Sequence, residues 1–556
     1  MRDFYYIENE TLALKNGLMK IKGVKDAKWA KEDGNGLSLP FVKVKAESSE
    51  YIMWEDLPLI YIKEWKGGII TSLKGEHTTL KTVKLHANTD NNDTLATSEE
   101  ADVYKGAVYG EKKGDLFFFE DNETGKALVI ISETPDYECG TLSVKDKNVF
   151  FENGGNGVAL GLCEKGMCEY FVREYYRHAR KSEPLFTMGN IWGGGNGRKC
   201  ANFDFMKREI DAAKEMEVDA VQIDDGWQVG STLDLTRRDE LDRRCFYGNF
   251  WEVNKENFPG GMKKIADYAK EKGIIPGLWF APDSHDNFYL MERDAEILEK
   301  AYSEWGFKLF KLDMLWVSNP EEKQRFRELL EKIYSFGKDV SVQLDVTMNL
   351  RTNYLWGKEF GTVFVENRYT HTGVYFPHRT LKNVWTIGKY IPLSKLQFEI
   401  PDPDRNPDKY DENDIFAPKN YDMDYLFATV MLSNPLFWME MQNLSEKRKE
   451  ELRRIVPVWK EMRDFLGKAD IEPVGDKPSG RSHTGFIIRE EKKAKYLLLF
   501  REETEKEGAR FKADISCADA NNFTILASNG NFGVEISEGE IAFTSDKPKS
   551  YALIKL

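Results

Sequence analysis

The chain has 556 residues, 41% of them apolar and 13% aromatic, enough to bury full cores in roughly two to four domains. Its 79 basic and 93 acidic side chains give a formal charge of −14, and no run of Lys and Arg interleaved with aromatics stands out, so neither nucleic acid nor an anionic membrane is an expected partner. No stretch of about 18 uncharged apolar residues occurs, and the opening MRDFYYIENETLALK has neither an apolar h-region nor a small-residue cleavage site. The six cysteines (Cys139, Cys163, Cys168, Cys200, Cys245 and Cys517) are sparse and irregularly spaced, which reads as free thiols in a cytoplasmic protein. Cys163 and Cys168 lack the second Cys or His pair that a zinc site needs, and no metal or cofactor is expected.

Residues 1–182 carry short runs such as Leu116-Phe117-Phe118-Phe119 and Ala127-Leu128-Val129-Ile130-Ile131 separated by Asn, Asp and Gly, the pattern of an antiparallel β-sandwich. Over residues 183–472, strand-like runs alternate with helix-like ones. Strands are predicted at Leu185–Met188, Ala220–Ile223, Ile274–Phe280, Phe307–Leu315, Val340–Val346, Thr362–Val365, Leu396–Ile400 and Leu436–Met439. Eight strands in a segment of this size predict a (β/α)8 TIM barrel. Pro320 to Phe336 reads as a helix with Phe326, Leu329, Leu330 and Ile333 on one face, and Ser445 to Leu466 as another with Leu452, Ile455, Val456 and Trp459. Over residues 473–556 the period returns to two, as in Tyr496-Leu497-Leu498-Leu499-Phe500, predicting a small C-terminal β domain.

Several predicted barrel strands end in acidic residues. Ala220–Ile223 runs into Asp224-Asp225-Gly226, Ile274–Phe280 into Ala281-Pro282-Asp283, and the fourth strand carries Lys311 and Asp313. A parallel barrel gathers its functional groups at the carboxyl ends of its strands, so these residues predict one site lined by carboxylates. Lys311 and Asp313 are two residues apart on one face, where the ammonium would help keep the carboxyl ionised; the structural alternative is a buried ion pair closing a strand. Adjacent Asp224 and Asp225 reach the same point only if the chain turns, which Gly226 permits; otherwise one of them caps backbone amides.

GNIWGG (Gly189 to Gly194), VQIDDGWQ (Val221 to Gln228), PGLWFAP (Pro276 to Pro282) and FKLDML (Phe310 to Leu315) occur in order on successive predicted strands. This set resembles the α-galactosidases of glycoside hydrolase family 36, and more broadly clan D. The resemblance implies a retaining, metal-free and cofactor-free glycosidase; with an opening that lacks a signal-peptide pattern, action inside the cell on short oligosaccharides or glycosides is expected. It implies Asp313 as nucleophile, Lys311, Asp224 and Asp225 as ligands of sugar hydroxyls, and Trp192 and Trp279 as aromatic faces for a pyranose ring. The acid/base implied at the end of strand 6 falls on Glu366, with Arg368 beside it; Asp345, Asp402 and Asp404 are the alternative acids. Strand 5 departs from the family, carrying Asp345 and Thr347, then Asn349 and Arg351, in place of a Cys-Gly-rich segment. Asp345 and Arg368 are therefore included among the expected substrate-binding groups, and the terminal sugar is left open between galactose and an N-acetylated, deoxy or pentopyranose unit. Transglycosylation and non-catalytic carbohydrate binding are the competing functions, and homo-oligomerisation is left open.

Overall fold

The computed structural model describes residues 31–33, 36–39, 42–44, 51–53, 59–62, 65, 67–72, 78–86, 93–134, 139–178, 185–231, 249–284, 286–315, 317, 319–345, 359–490, 492–515 and 523–556. The chain forms two compact units, Met1–His86 with Thr94–Lys181, and Ala87–Asp93 with Ser182–Leu556.

In the first unit a seven-stranded antiparallel sheet runs in the order Tyr51–Met53, Leu59–Ile62, Val158–Glu164, Lys126–Ser132, Leu116–Asp121, Thr78–Leu85 and Ala96–Val103. Among the described residues it also has a four-stranded sheet and a three-stranded one. The central strands Leu116–Asp121 and Lys126–Ser132 are buried over nearly their whole length, which explains runs of consecutive apolar residues where a half-exposed strand would alternate.

The second unit is built on a closed barrel of eight parallel strands: β1 (Met188–Asn190), β2 (Ala220–Ile223), β3 (Ile275–Phe280), β4 (Leu309–Leu312), β5 (Ser341–Asp345), β6 (Thr362–Phe364), β7 (Leu396–Ile400) and β8 (Asn434–Trp438). The expected TIM barrel is therefore present, with strand ends adjusted. β1 starts three residues later than its apolar run suggests, because Phe186 and Thr187 give their amides to the side chains of Asn434 and Asp219 instead of a neighbouring strand. β8 begins two residues early, at Asn434-Pro435, a pair that reads locally as a turn.

The helices described around the barrel are α1 (Phe203–Glu215), α2 (Met262–Lys272), α3 (Met291–Lys300), α4 (Pro320–Ser335), α5 (Pro377–Ile387), α6 (Met423–Val430) and α7 (Glu446–Leu466). Asn319 caps α4 by accepting from the Glu322 amide at 2.8 Å, with Pro320 in the first turn where its missing N–H costs nothing. Ser445 caps α7, whose buried face is Leu452, Ile455, Val456 and Trp459.

After α7 the chain forms a five-stranded and a three-stranded antiparallel sheet. Val474, Ile487, Leu497 and Leu499 of the first share a core with Phe511, Ile541 and Phe543 of the second. Both sheets group with the barrel in the second unit. Among the described residues no helix is long and apolar enough to cross a membrane, and Cys139, Cys163, Cys168 and Cys200 are free thiols. Cys245, Cys517, Thr347, Asn349 and Arg351 lie outside the described residues.

Candidate active site

Parallel strands in register carry their side chains in rows across the barrel, and here the inward rows are polar. Asn190 of β1 is level with Gln222 of β2, and Trp279 of β3 with Lys311 of β4, which is in turn level with Gln343 of β5. The Asn190 amide donates to Gln222 Oε1 at 2.7 Å, and Gln222 Nε2 donates to Gln343 Oε1 at 3.0 Å. These buried amides form a polar floor below the carboxyl ends of the strands, and the sequence reading missed them because single amides in apolar strands carry no motif.

Lys311 lies at the centre. Its Nζ is 3.0 Å from Asp224 Oδ2, 2.9 Å from Asp345 Oδ2 and 3.9 Å from Asp313 Oδ2, and it sits 5.0 Å over the Trp438 ring. Burial works against the ammonium, but the carboxyls of Asp224, Asp345 and Asp313 outweigh it and hold its pKa well above the ordinary lysine value. Lys311 is thus a cation at any ordinary pH.

Asp313 follows β4 directly. The Trp279 indole N–H donates to its Oδ2 at 2.9 Å, and the Met314 amide donates to its Oδ1 at 2.6 Å. Met314 has φ +56°, a left-handed conformation uncommon for a non-glycine residue, and it turns the chain immediately after the carboxylate. The Asp313 side chain keeps 13% exposure whereas Asp224 and Asp345 are buried, so of the three it is the one open to an incoming molecule. Trp279 is fully buried, with its ring 6.0 Å from that of Trp251. Its place here is that of a donor orienting Asp313, whereas Trp192 is partly exposed.

Asp224 accepts from Asn190 Nδ2 at 2.7 Å, from Lys311, and from the Asp225 amide at 2.8 Å. The expected turn is present, with Gly226 at φ +125°, where an added Cβ would meet Ala201 Cβ at 2.9 Å. Past this turn, Asp225 Oδ1 accepts from Arg198 Nη1 and Gln228 Nε2, both at 2.5 Å. Arg198, unmarked by any motif, also bonds the carbonyls of Gln228 and Gly230 and so fixes the loop after β2.

Glu366 and Arg368 belong to a different network. Both are fully buried, with Arg368 Nη1 2.9 Å from Glu366 Oε2. The Glu366 oxygens also accept from Thr380 Oγ1 at 2.9 Å and Asn383 Nδ2 at 2.7 Å, both on α5. Glu399 of β7 receives the Asn367 and Arg368 amides, each at 3.2 Å, and burial with the nearby Glu366 pushes its carboxyl well above the usual range. Asp93, which groups with this unit, completes the network by pairing with Arg368 at 3.2 Å and Arg379 at 2.9 Å. Glu366 is held by helix and arginine donors at zero exposure, the geometry of an internal anchor.

Of the acid alternatives, Asp404 is engaged by Arg448 Nη2 and Nε, at 2.8 and 3.0 Å, and that pairing holds its carboxyl below the usual range. Asp402, just beyond β7, is partly exposed, and burial together with Asp404 raises its pKa. Glu440, after β8, accepts from Asn196, Arg405 and Asn443, each at 2.6 Å, and ties three loops together. Among the described residues no group of three His, Cys, Asp or Glu side chains is arranged to hold a metal.

A closed parallel barrel with an ion-paired lysine and carboxyls at its strand ends defines the class of (β/α)8 proteins whose chemistry lies at the carboxyl face. Within that class the Melibiase family model matches residues 171–316. Alpha-galactosidase Mel36A of Lactobacillus acidophilus is 37% identical over 92 residues, and alpha-galactosidase 1 of Pediococcus pentosaceus 29% identical over 92 residues. Each alignment covers 16% of this chain and only 11% of the relative. A variant of the GH36 alpha-galactosidase AgaA from Geobacillus stearothermophilus, solved with 1-deoxygalactonojirimycin, superposes with a TM-score of 0.64 at 13% identity, covering 93% of this chain and 82% of that one. The alpha-galactosidase from Lactobacillus brevis gives 0.61 at 10% identity, covering 98% and 85%. The chain thus resembles the GH36 alpha-galactosidases in sequence through the first half of the barrel and in fold throughout.

Proposed function

We propose that this chain is a retaining α-glycoside hydrolase of the α-galactosidase type, removing a terminal non-reducing sugar from oligosaccharides by double displacement. The observation that carries the reading is Asp313, partly open at the end of β4, oriented by Trp279 and the Met314 amide with Lys311 beside it, all inside the stretch that matches Melibiase. In the first step the Asp313 carboxylate attacks the anomeric carbon, the glycosidic bond breaks, and the leaving oxygen takes a proton. In the second, water attacks the glycosyl ester and returns the proton to the acid/base.

Asp224 and Lys311 supply hydroxyl contacts on the pocket floor, Asp225 holds the loop shape through Arg198, and the Trp192 ring packs on the sugar. Glu366 and Arg368 act as the anchor of the β6–α5 connection. Asp402 takes the acid/base role, because a partly exposed carboxyl with a raised pKa suits proton donation. AgaA variants have been solved with raffinose and with stachyose, which makes these the first natural substrates to offer. Asp345 at the end of β5, beyond the matched stretch, favours a second reading in which the terminal sugar is a substituted relative of galactose. The free thiols support a cytoplasmic site of action.

The test is a panel of aryl α- and β-glycosides with raffinose and stachyose, run on wild type, Asp313→Asn and Asp402→Asn, with the anomer of the first-formed product read by NMR. Cleavage of one α-glycoside with retention, abolished in Asp313→Asn, is the expected result. Near wild-type turnover in Asp313→Asn removes the assignment, and an inverted first product removes the double displacement.

A further inference from the structure

Two thiols meet in the first unit, away from the barrel. Cys163 lies on the strand Val158–Glu164, and Cys168 opens the helix Cys168–His178 that follows it. Alternation along the strand puts Gly161 and Cys163 on one face. The helix covers that face: a Cβ added at Gly161 would lie 1.9 Å from Phe171 Cζ, so the ring rests directly on the strand backbone. Cys168 and Phe171, three residues apart, share the inner side of the helix, and both are buried. The Cys163 and Cys168 sulfurs are thereby brought to 3.9 Å. The turn between them is pinned. The Met167 amide donates to the Glu164 carbonyl at 3.1 Å, the Lys165 amide to the Gly125 carbonyl at 2.9 Å, and the amide of Gly166, at φ +82°, to Glu120 Oε1 at 3.0 Å. The same Glu120 oxygen faces the Cys168 thiol at 3.8 Å.

We propose that Cys163 and Cys168 are a reversible dithiol–disulfide pair, oxidised by a small-molecule disulfide of the glutathione type. The partly exposed Cys163, as thiolate, attacks one sulfur of the oxidant; a mixed disulfide forms and one thiolate leaves. Cys168 passes its proton to Glu120, attacks the Cys163 sulfur and expels the second thiolate. Each thiolate released takes up a proton that a protein thiol lost, so two protein thiols are oxidised and one external disulfide is reduced to two thiols. Closing from 3.9 Å to the roughly 2.0 Å of an S–S bond staples the start of the helix to the strand. The division of labour follows from exposure: buried Cys168 is shielded from an outside oxidant, and the hydrogen bond from Cys163 together with burial pushes its thiol far above the ordinary range, so it reacts second. In a reducing compartment a disulfide of this kind is transient and reports redox state.

The test incubates the native full chain with excess oxidised glutathione, quenches with acid, alkylates, and maps the peptides by mass spectrometry. The expected product is a Cys163–Cys168 bond that excess reduced glutathione reopens, with amide hydrogen exchange across Cys168–His178 slowed about tenfold while the bond is closed. Cys168→Ser should stop at a glutathione adduct on Cys163, and Cys163→Ser should take up no adduct at Cys168. Glu120→Gln should slow the second step several-fold and leave the first unchanged; an unchanged second step removes Glu120 from the proposal. A pair that stays reduced in the wild type, a bond that maps to other cysteines or forms only in denaturant, or one that reduced glutathione fails to open overturns it. None of these readouts depends on glycoside cleavage.

Discussion

The two halves of the barrel use buried charge in opposite ways. From β1 to β4, Asp224, Trp279, Lys311 and Asp313 join in one cluster of hydrogen bonds and ion pairs that leaves Asp313 partly open. From β6 to β7, Glu366, Arg368 and Glu399 form a cluster of similar composition that is closed on every side and fastened to α5 and Asp93. The Melibiase match ends at residue 316, between these halves. A carboxylate at the end of a barrel strand is thus no guide to chemistry by itself. What distinguishes the halves is whether the donors around the carboxylate leave one edge for a substrate.

The sharpest way to break this comparison is to exchange the charges for isosteres. Asp313→Asn should lower kcat/KM on an aryl α-glycoside by several orders of magnitude with the melting transition intact, because it removes the attacking group alone. Asp402→Asn should lower turnover of raffinose by about 10²–10⁴-fold but that of a substrate with an activated leaving group far less, since only the former needs the proton. Trp279→Phe removes one hydrogen bond to a charged acceptor, about 1.5–3 kcal/mol, and should cost about 10- to 100-fold in kcat/KM. Glu366→Gln should change kcat/KM by only a few-fold on either substrate while lowering the denaturant midpoint, because a buried Arg368 loses one of its counter-charges. A loss in Glu366→Gln that is confined to poor leaving groups, with stability unchanged, would return the acid/base to Glu366 and erase the contrast between the halves.

Much of the fold was legible in the chain. Ala220–Ile223 and Leu396–Ile400 coincide with predicted strands residue for residue; each is an apolar-rich segment of four or five residues, Leu396–Ile400 alternating apolar with polar, a length and pattern that suit a strand rather than a helix. The α4 start was legible too, because Pro320 is suited to a first helical turn, and the Asn319 cap then completes it. The errors at β1 and β8 arose where partners distant in sequence decide pairing: the Phe186 amide goes to Asn434, 248 residues away, and that asparagine belongs to a strand although its local pattern reads as a turn.

Residue type and spacing by themselves determined that Lys311 and Asp313 come together at the end of one strand and that Gly226 turns the chain after the paired aspartates, because both follow from backbone geometry over a few residues. Tertiary structure alone decided that Trp279 serves as a donor to Asp313, that Arg198 holds Asp225, and that Glu366 is filled by Thr380, Asn383 and Arg368. Each of those outcomes depends on which long-range donors reach a carboxylate first, and a linear pattern of residues carries no record of that competition.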